Sequence, residues 1–357
     1  MENTLYRRPL PEGAIPFSSP EGRAVFAEAL GQGGLDGYFP LAEQFHTQSD
    51  PAFCGLGSLV VALNALAIDP GRLWKGPWRW FAEELLDCCV PLEHVRARGL
   101  SLDELACLAR CNGADVELQR GDARADSLTS FRGALERSAS ASCVLIASYD
   151  RSALSQTGSG HFSPIGGYHR ARDLALVLDV ARFKYPPHWI EAERLWRATH
   201  AADPATGRAR GWLLLSPRAQ GVSLGFSLRC EQGGWQPLAT RLQGLAAELQ
   251  GTADVEHIAQ ALAPLAMHVE LREPSAPAHR SALASARAAL REHPAYSSIA
   301  RVVSGDQAEA LLLLVCALSE SLSAQLGTPE NTEAVASELE NLRAQLHAVG
   351  SLLGVSR

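Results

Sequence analysis

Residues 55–66 run apolar almost without interruption and end just ahead of Asp69-Pro70-Gly71. This predicts a buried helix that opens at Cys54 and stops at the Asp-Pro-Gly turn, since proline cannot continue a helix. Residues 103–110 and 127–137 also read as helices. Residues 143–148, Cys-Val-Leu-Ile-Ala-Ser, read as a short buried strand. Residues 161–168 and 174–180 read as two further strands, joined around Arg170-Ala171-Arg172-Asp173. Helical patterns come first and strand patterns follow, which predicts an α+β fold rather than alternating α/β units.

The texture changes near Ser216-Pro217-Arg218-Ala219-Gln220-Gly221, a stretch of linker composition. Beyond it, residues 242–249 and 330–353 are rich in Ala, Leu, Glu and Arg at helical spacing. The expectation is two domains. The first, 1–220, mixes helix and strand signals; the second, 221–357, is mainly helical, poor in cysteine and stabilising or regulatory.

Apolar residues make up 46% of the chain and charged residues 20%, an ordinary globular balance. Net charge is −7, from 32 basic and 39 acidic side chains, with no Lys/Arg block. That argues against nucleic acid or an anionic membrane as partner. The longest apolar run, 310–318, has nine residues, against about 20 for a membrane span. Glu2 and early prolines stand where a secretory apolar region would lie. A soluble, cytoplasmic chain with reduced thiols is expected. Of its eight cysteines, six lie before residue 144, so any thiol chemistry belongs to the N-terminal part.

A cysteine in the first turn of a helix is chemically special. Unpaired N–H groups and the positive end of the dipole favour its thiolate. Gln48, six positions upstream of Cys54, is placed to aim a carboxamide N–H and the Cys54 backbone N–H at one developing oxyanion. Gly55 keeps the approach to sulfur open. His161 follows Gly158-Ser159-Gly160 at the start of a predicted strand. Asp179 ends the apolar run 174–178, where a carboxylate is costly unless partnered. In a hairpin the two emerge near the same end, and Asp179 orients the imidazole toward Cys54. The order Gln, Cys, His, acid is the papain-like one. The plainer reading makes Cys54 a small buried hydrophobe and His161 a structural histidine; the residues taken together outweigh it.

Longer stretches make the pattern specific. They are QSDPAFCGLGSLVVALNALAIDPGRLWKGPWRWF (48–81), LLDCC (85–89), ACLARCNGA (106–114), TGSGHFSPIGGYH (157–169), LVLDVARFKYPPHW (176–189) and GRARGW (207–212). Together they resemble the phytochelatin synthases, or glutathione γ-glutamylcysteinyltransferases, over roughly residues 1–235. The resemblance implies a papain-like cysteine protease fold, a helical part plus an antiparallel sheet. It implies Cys54, His161 and Asp179 as the triad, with Gln48 at the oxyanion hole. It also implies the reaction: attack on the Cys–Gly bond of glutathione, loss of glycine, and a γ-Glu-Cys thioester. The amine of a second glutathione or of a growing chain then accepts the acyl group. The product, (γ-Glu-Cys)n-Gly, binds soft metal ions, which places the implied role in heavy-metal detoxification.

No organic cofactor is implied. Activation by Cd, Zn or Cu ions is, with metal–glutathione thiolate as the activating form. Expected partners are glutathione, phytochelatin peptides and heavy-metal ions, and a homodimer stays open. Two rival readings remain: a glutathione or glutathione-conjugate hydrolase with the same triad, and a non-enzymatic thiol metal buffer.

Small anionic substrates need fixed cations, and guanidinium grips carboxylate bidentately. Arg182 and Arg210 are the first candidates, followed by Lys184 and Tyr185, with Gly160 in the loop beside them. The resemblance also makes Cys88, Cys89, Cys107 and Cys111 candidate contacts for metal or metal–thiolate. Adjacent cysteines do not easily share one tetrahedral ion, so packing stays open for these four. His188 in Pro-Pro-His-Trp reads as structural. Plant members carry many cysteines in the C-terminal part, whereas this chain has Cys230 and Cys316 there. That puts a C-terminal thiol metal sensor in doubt.

Overall fold

In the computed structural model the described residues are 7–71, 73–88 and 90–218, then 226–228, 240–242, 244–245, 254–266, 269–271, 277–318 and scattered positions from 335 to 346. Cys89, Cys230, the end of the joint at 219–221 and most of the patterns at 242–249 and 330–353 lie outside them.

The chain opens with β1 (Ile15–Pro16), α1 (Pro20–Gly31), α2 (Tyr38–Gln44), α3 (Cys54–Ala65), α4 (Leu92–Arg98) and α5 (Leu102–Cys111). It continues through β2 (Ala114–Arg120), α6 (Ala125–Ser138), β3 (Val144–Asp150), β4 (Gly160–His169), β5 (Leu174–Val177), β6 (His188–Glu191), α7 (Ala192–Ala198) and β7 (Gly211–Pro217). The seven strands form one sheet in the order β1-β6-β5-β4-β3-β7-β2, antiparallel at every pairing. The α+β expectation holds.

Both faces of the sheet are covered, which explains why its strands read as apolar runs rather than alternations. Along β3, Val144 and Ile146 enter the core shared with α3 and α5. Leu145, Ala147 and Tyr149 point the other way, into the core under α6 and α7. Residues 55–63 of α3 are buried on every side. A helix that is apolar all round belongs in an interior, and α3 packs across β4. Its far end is tied by Asn64, whose amide exchanges bonds of 3.0 and 3.2 Å with the Phe81 backbone. The first residue of this fixed rod is Cys54.

The strand expected over 174–180 stops at Val177. Leu178 still donates to the Pro164 carbonyl at 3.0 Å, but Asp179 leaves the ladder to meet buried partners described below. β4 makes room through a register shift between Ile165 and Gly167. A Cβ on Gly166 would come within 2.9 Å of the Leu178 side chain. Strands β1, β2, β6 and β7 complete the sheet without having been expected from the sequence.

Beyond the sheet, β8 (Phe226–Leu228) pairs with β9 (Val269–Leu271). Around them lie α8 (Val255–Ala266), α9 (Pro277–Glu292), α10 (Tyr296–Val302) and α11 (Asp306–Leu318). These share a core of their own, including Phe226, Leu262, Ile299 and Leu311. Among the described residues no helix is long and apolar enough to cross a membrane.

Candidate active site

Cys54 stands half-buried at the first position of α3, where His161, the Phe162 backbone N–H and Arg151 act on its thiol. Burial pushes the thiol pKa up. The charge and hydrogen bond of His161, the Phe162 N–H and the Arg151 charge outweigh it, and the thiol titrates below its ordinary value. The helix start acts in the same sense.

His161 lies near the start of β4, opposite Tyr149 of β3. The phenol ring meets the imidazole edge to face, 5.7 Å between centroids. Imidazole Nε2 is 2.8 Å from Asp179 Oδ1, which leaves Nδ1 for Cys54. Burial alone would favour the neutral ring. The Asp179 charge, helped by Cys54, overrides both burial and Arg151 and raises the His161 pKa. A lowered thiol beside a raised imidazole favours the thiolate–imidazolium pair.

Asp179 is fully buried. Its Oδ1 also accepts the Ala181 N–H at 2.9 Å. Arg151, just past β3, brings Nη2 to 3.0 Å from Oδ1 and 2.8 Å from Oδ2. Burial pushes the Asp179 carboxyl up, but the His161 and Arg151 charges hold it well below the usual carboxylate range. Arg151 is itself buried, over the Tyr185 ring at 5.0 Å, and donates to Gln156 Oε1 at 2.7 Å. Gln156 Nε2 lies 3.3 Å from His188 Nε2, whose Nδ1 is 2.9 Å from the Pro186 carbonyl. Sequence reasoning missed Arg151. An arginine after an apolar strand carries no signal until the fold brings Asp179 beside it.

Gln48 is also brought to this corner, its backbone N–H donating to the Val180 carbonyl at 3.0 Å. Its carboxamide is turned onto its own loop, where Nε2 donates to the Asp50 and Pro51 carbonyls at 2.8 and 2.9 Å. The donor that α3 itself supplies beside the sulfur is the Cys54 N–H, since the first N–H groups of a helix have no partner within it.

The substrate candidates divide. Arg210 is buried directly over Gly160, where a Cβ would collide with its guanidinium. Its Nε has no hydrogen-bond partner, and Nη1 is 3.9 Å from Asp203 Oδ2. A cation and an anion thus stand side by side at Gly160, the residue before His161. Lys184 reaches the same loop, where a Cβ on Gly158 would lie 3.0 Å from Nζ; burial and the Arg151 charge lower its pKa. Tyr185 is buried beneath Arg151, its hydroxyl accepting the Thr157 N–H at 2.7 Å. Arg182 is exposed and stacks on Phe45 at 4.9 Å.

Cys107 and Cys111 share a face of α5, sulfurs 4.0 Å apart. Cys88 Sγ accepts from Asn112 Nδ2 at 3.5 Å. Among the described residues no group of three or more His, Cys, Asp or Glu is arranged to hold a metal ion.

A central helix opening on a cysteine, laid across an antiparallel sheet that presents a His–Asp pair, is the architecture of the papain-like cysteine enzymes. The family model for phytochelatin synthase matches residues 5–212. Glutathione gamma-glutamylcysteinyltransferase 1 of Triticum aestivum is 54% identical over 238 residues, 66% of this chain and 47% of that protein. The Arabidopsis thaliana protein of the same name is 50% identical over 242 residues, 67% and 50% of the two chains. Glutathione gamma-glutamylcysteinyltransferase of Schizosaccharomyces pombe is 42% identical over 218 residues, 61% and 52%. The chain belongs to the phytochelatin synthase family. It spans about half the length of the curated relatives it matches.

Proposed function

We propose that this chain is a γ-glutamylcysteine dipeptidyl transferase that uses glutathione as donor and as acceptor. The observation that carries the reading is Cys54 at a helix start, its thiol acted on by an imidazole that Asp179 holds at 2.8 Å. The Cys54 thiolate attacks the carbonyl of the Cys–Gly bond and a tetrahedral oxyanion forms near the Cys54 N–H. Gln48 joins it there once its carboxamide turns off the loop carbonyls. His161 gives its proton to the departing glycine amine, and the C–N bond breaks to leave a thioester. The neutral imidazole then takes a proton from the acceptor amine as that nitrogen attacks, and sulfur leaves as thiolate.

A γ-glutamyl group keeps its α-ammonium and α-carboxylate free. The buried Arg210 and Asp203, 3.9 Å apart, suit that zwitterion, with guanidinium on carboxylate and carboxylate on ammonium. Lys184 and Arg182 are outer cations for the remaining carboxylates, and Tyr185 supports Arg151. The activating metal enters as substrate, a metal–glutathione thiolate, with Cd, Zn and Cu the ions expected. Cys107 and Cys111 offer it a two-thiol contact, or serve only to pack α5. We assign the chemistry to residues 1–220 and a stabilising role to 221–357, whose separate core supports that division. A reducing cytoplasm suits an enzyme whose nucleophile is a thiolate.

Incubation with glutathione and Cd²⁺, followed by mass spectrometry, tests the reading. Expected are oligomers with two or more γ-Glu-Cys units, a γ-Glu-Cys adduct on Cys54, and loss of both in Cys54→Ser. Glycine and γ-Glu-Cys without oligomers would make water the acceptor and the protein a hydrolase. Undiminished turnover in Cys54→Ser would sink both.

A further inference from the structure

A second buried carboxylate lies close to the start of α3 and plays no part in the chemistry above. Glu83 opens a short 3-10 turn, Glu83–Leu85, and is 5% exposed. Its Oε2 and Oε1 lie 3.0 and 3.3 Å from the Ser49 N–H, and the Ser49 hydroxyl makes a further short bond to Oε2. Oε1 also faces His46 Nε2 at 3.7 Å. Gly57, one turn into α3 from Cys54, explains why this group can come so near. A Cβ there would lie 2.9 Å from Glu83 Oε1 and 3.2 Å from Gln48 Cβ.

Glu83 and Gln48 are therefore pressed onto the same small patch of α3. On its other side Gln48 is held through its N–H to the Val180 carbonyl, the residue after Asp179. The loop that carries Gln48 is strung between a buried carboxylate and the acid of the site. Burying a charge is costly, and here the compensating bonds all go to that loop.

We propose that Glu83 is a positioning residue, which through Ser49 fixes the Gln48 loop against α3 and so sets the oxyanion side of the site. The inference rests on the reading of Cys54 as the nucleophile. His46 is a titratable part of the same tie. The Glu83 hydrogen bond raises its pKa against burial, and Arg182 is the opposing charge that faces it. Protonation of His46 adds an ion pair to the carboxylate, and Glu83→Gln removes that contribution.

The test uses the full chain with Glu83→Gln, Glu83→Ala, Ser49→Ala and the Ser49→Ala/Glu83→Ala double variant. Three quantities are read: the glycine burst with glutathione, KM, and alkylation of Cys54 by iodoacetamide. Alkylation needs the thiolate but forms no oxyanion, so it separates positioning from general damage. Expected is a burst about 100-fold slower in Glu83→Ala, comparable with loss of an oxyanion donor. Glu83→Gln, which keeps an acceptor for Ser49, loses about 5-fold on the same scale. KM and alkylation stay within about twofold of wild type, and the double variant is no slower than Glu83→Ala, because both changes cut one tie. If Glu83→Ala fails to fold, Glu83→Gln carries the test. A folded Glu83→Gln with a wild-type burst overturns the proposal. So does an alkylation rate that falls in step with the burst, since Glu83 would then only support the fold. A wild type that alkylates but gives no glycine burst refutes the nucleophile reading beneath it, a separate failure.

Discussion

The chemistry of Cys54 is set by competition between burial and charge. Burial opposes ionisation of Cys54, His161 and Asp179 alike, yet charged neighbours shift each one toward its charged form. The pH midpoint of Cys54 alkylation by iodoacetamide is therefore expected below the ordinary thiol pKa of about 8.5. In His161→Ala the pH midpoint should move upward; an unmoved midpoint would mean that the imidazole does not activate the sulfur. Arg151 makes the same point from the other side of Asp179. Arg151→Leu leaves a buried carboxylate short of a partner, and a loss of about 3–5 kcal/mol is expected in denaturant titration. The sign with pH follows from the depressed carboxyl. Its contribution is present above the unfolded carboxylate value of about 3.9 and fades as pH falls toward the folded value. In Arg151→Leu the Asp179 carboxyl rises, so acid unfolding should begin at higher pH than in wild type. The candidate triad residues stood out in the chain because Cys54 opens an apolar run, His161 follows a glycine-rich loop at a strand start and Asp179 ends an apolar run. Arg151 was not, since its role exists only where two strand ends meet.

Helix and strand ends decide where these residues stand. Helix α5 carries a capping box: Ser101 accepts the Glu104 N–H at 3.3 Å, and Glu104 Oε2 accepts the Ser101 N–H at 2.8 Å. Glu104 also takes both terminal nitrogens of Arg98, at 2.6 and 3.1 Å, joining α4 to α5. Ser101→Ala should cost about 1 kcal/mol in stability, and glycine release at saturating glutathione should not change. The bulge in β4 is less forgiving. Gly166→Ala drives a methyl into Leu178, next to Asp179, so both thermal midpoint and burst rate should fall. A variant that loses stability but keeps its burst would show that Leu178 moves without dragging the acid. Helices α3, α5 and α6 were readable from apolar periodicity. The end of β5 at Val177 was not, because a sequence run does not show that Asp179 will be drawn off the ladder by an ion pair.

At the scale of the molecule, the sheet is buried on both faces by α3 and α5 on one side and α6 and α7 on the other. The helices beyond residue 254 gather round another core. There Glu309, fully buried in α11, is held by Arg287 Nε at 2.5 Å and Arg291 Nη2 at 2.6 Å. Glu309→Ala removes the partner the two guanidinium groups share, leaving Arg287 on Asp306 and Arg291 half in water, and a local loss of about 1–3 kcal/mol is expected. Calorimetry should show an early transition in this variant while Cys54 alkylation stays at the wild-type rate. A single transition that takes alkylation down with it would mean that the two cores unfold as one.

The chain alone determined the α+β class, the helix that presents Cys54, the residues of the candidate triad and the helical character of the C-terminal part. Periodicity, turn residues and unusual polar positions are local properties, and they survive being read one segment at a time. Only the tertiary structure decided the strand order, the departure of Asp179 from its strand, and the neighbours of Arg151, Asp203 and Glu83. Strand order depends on pairings between distant segments, and the place of Asp179 on charges from distant segments meeting in a space without water, where an ion must find its counter-ion.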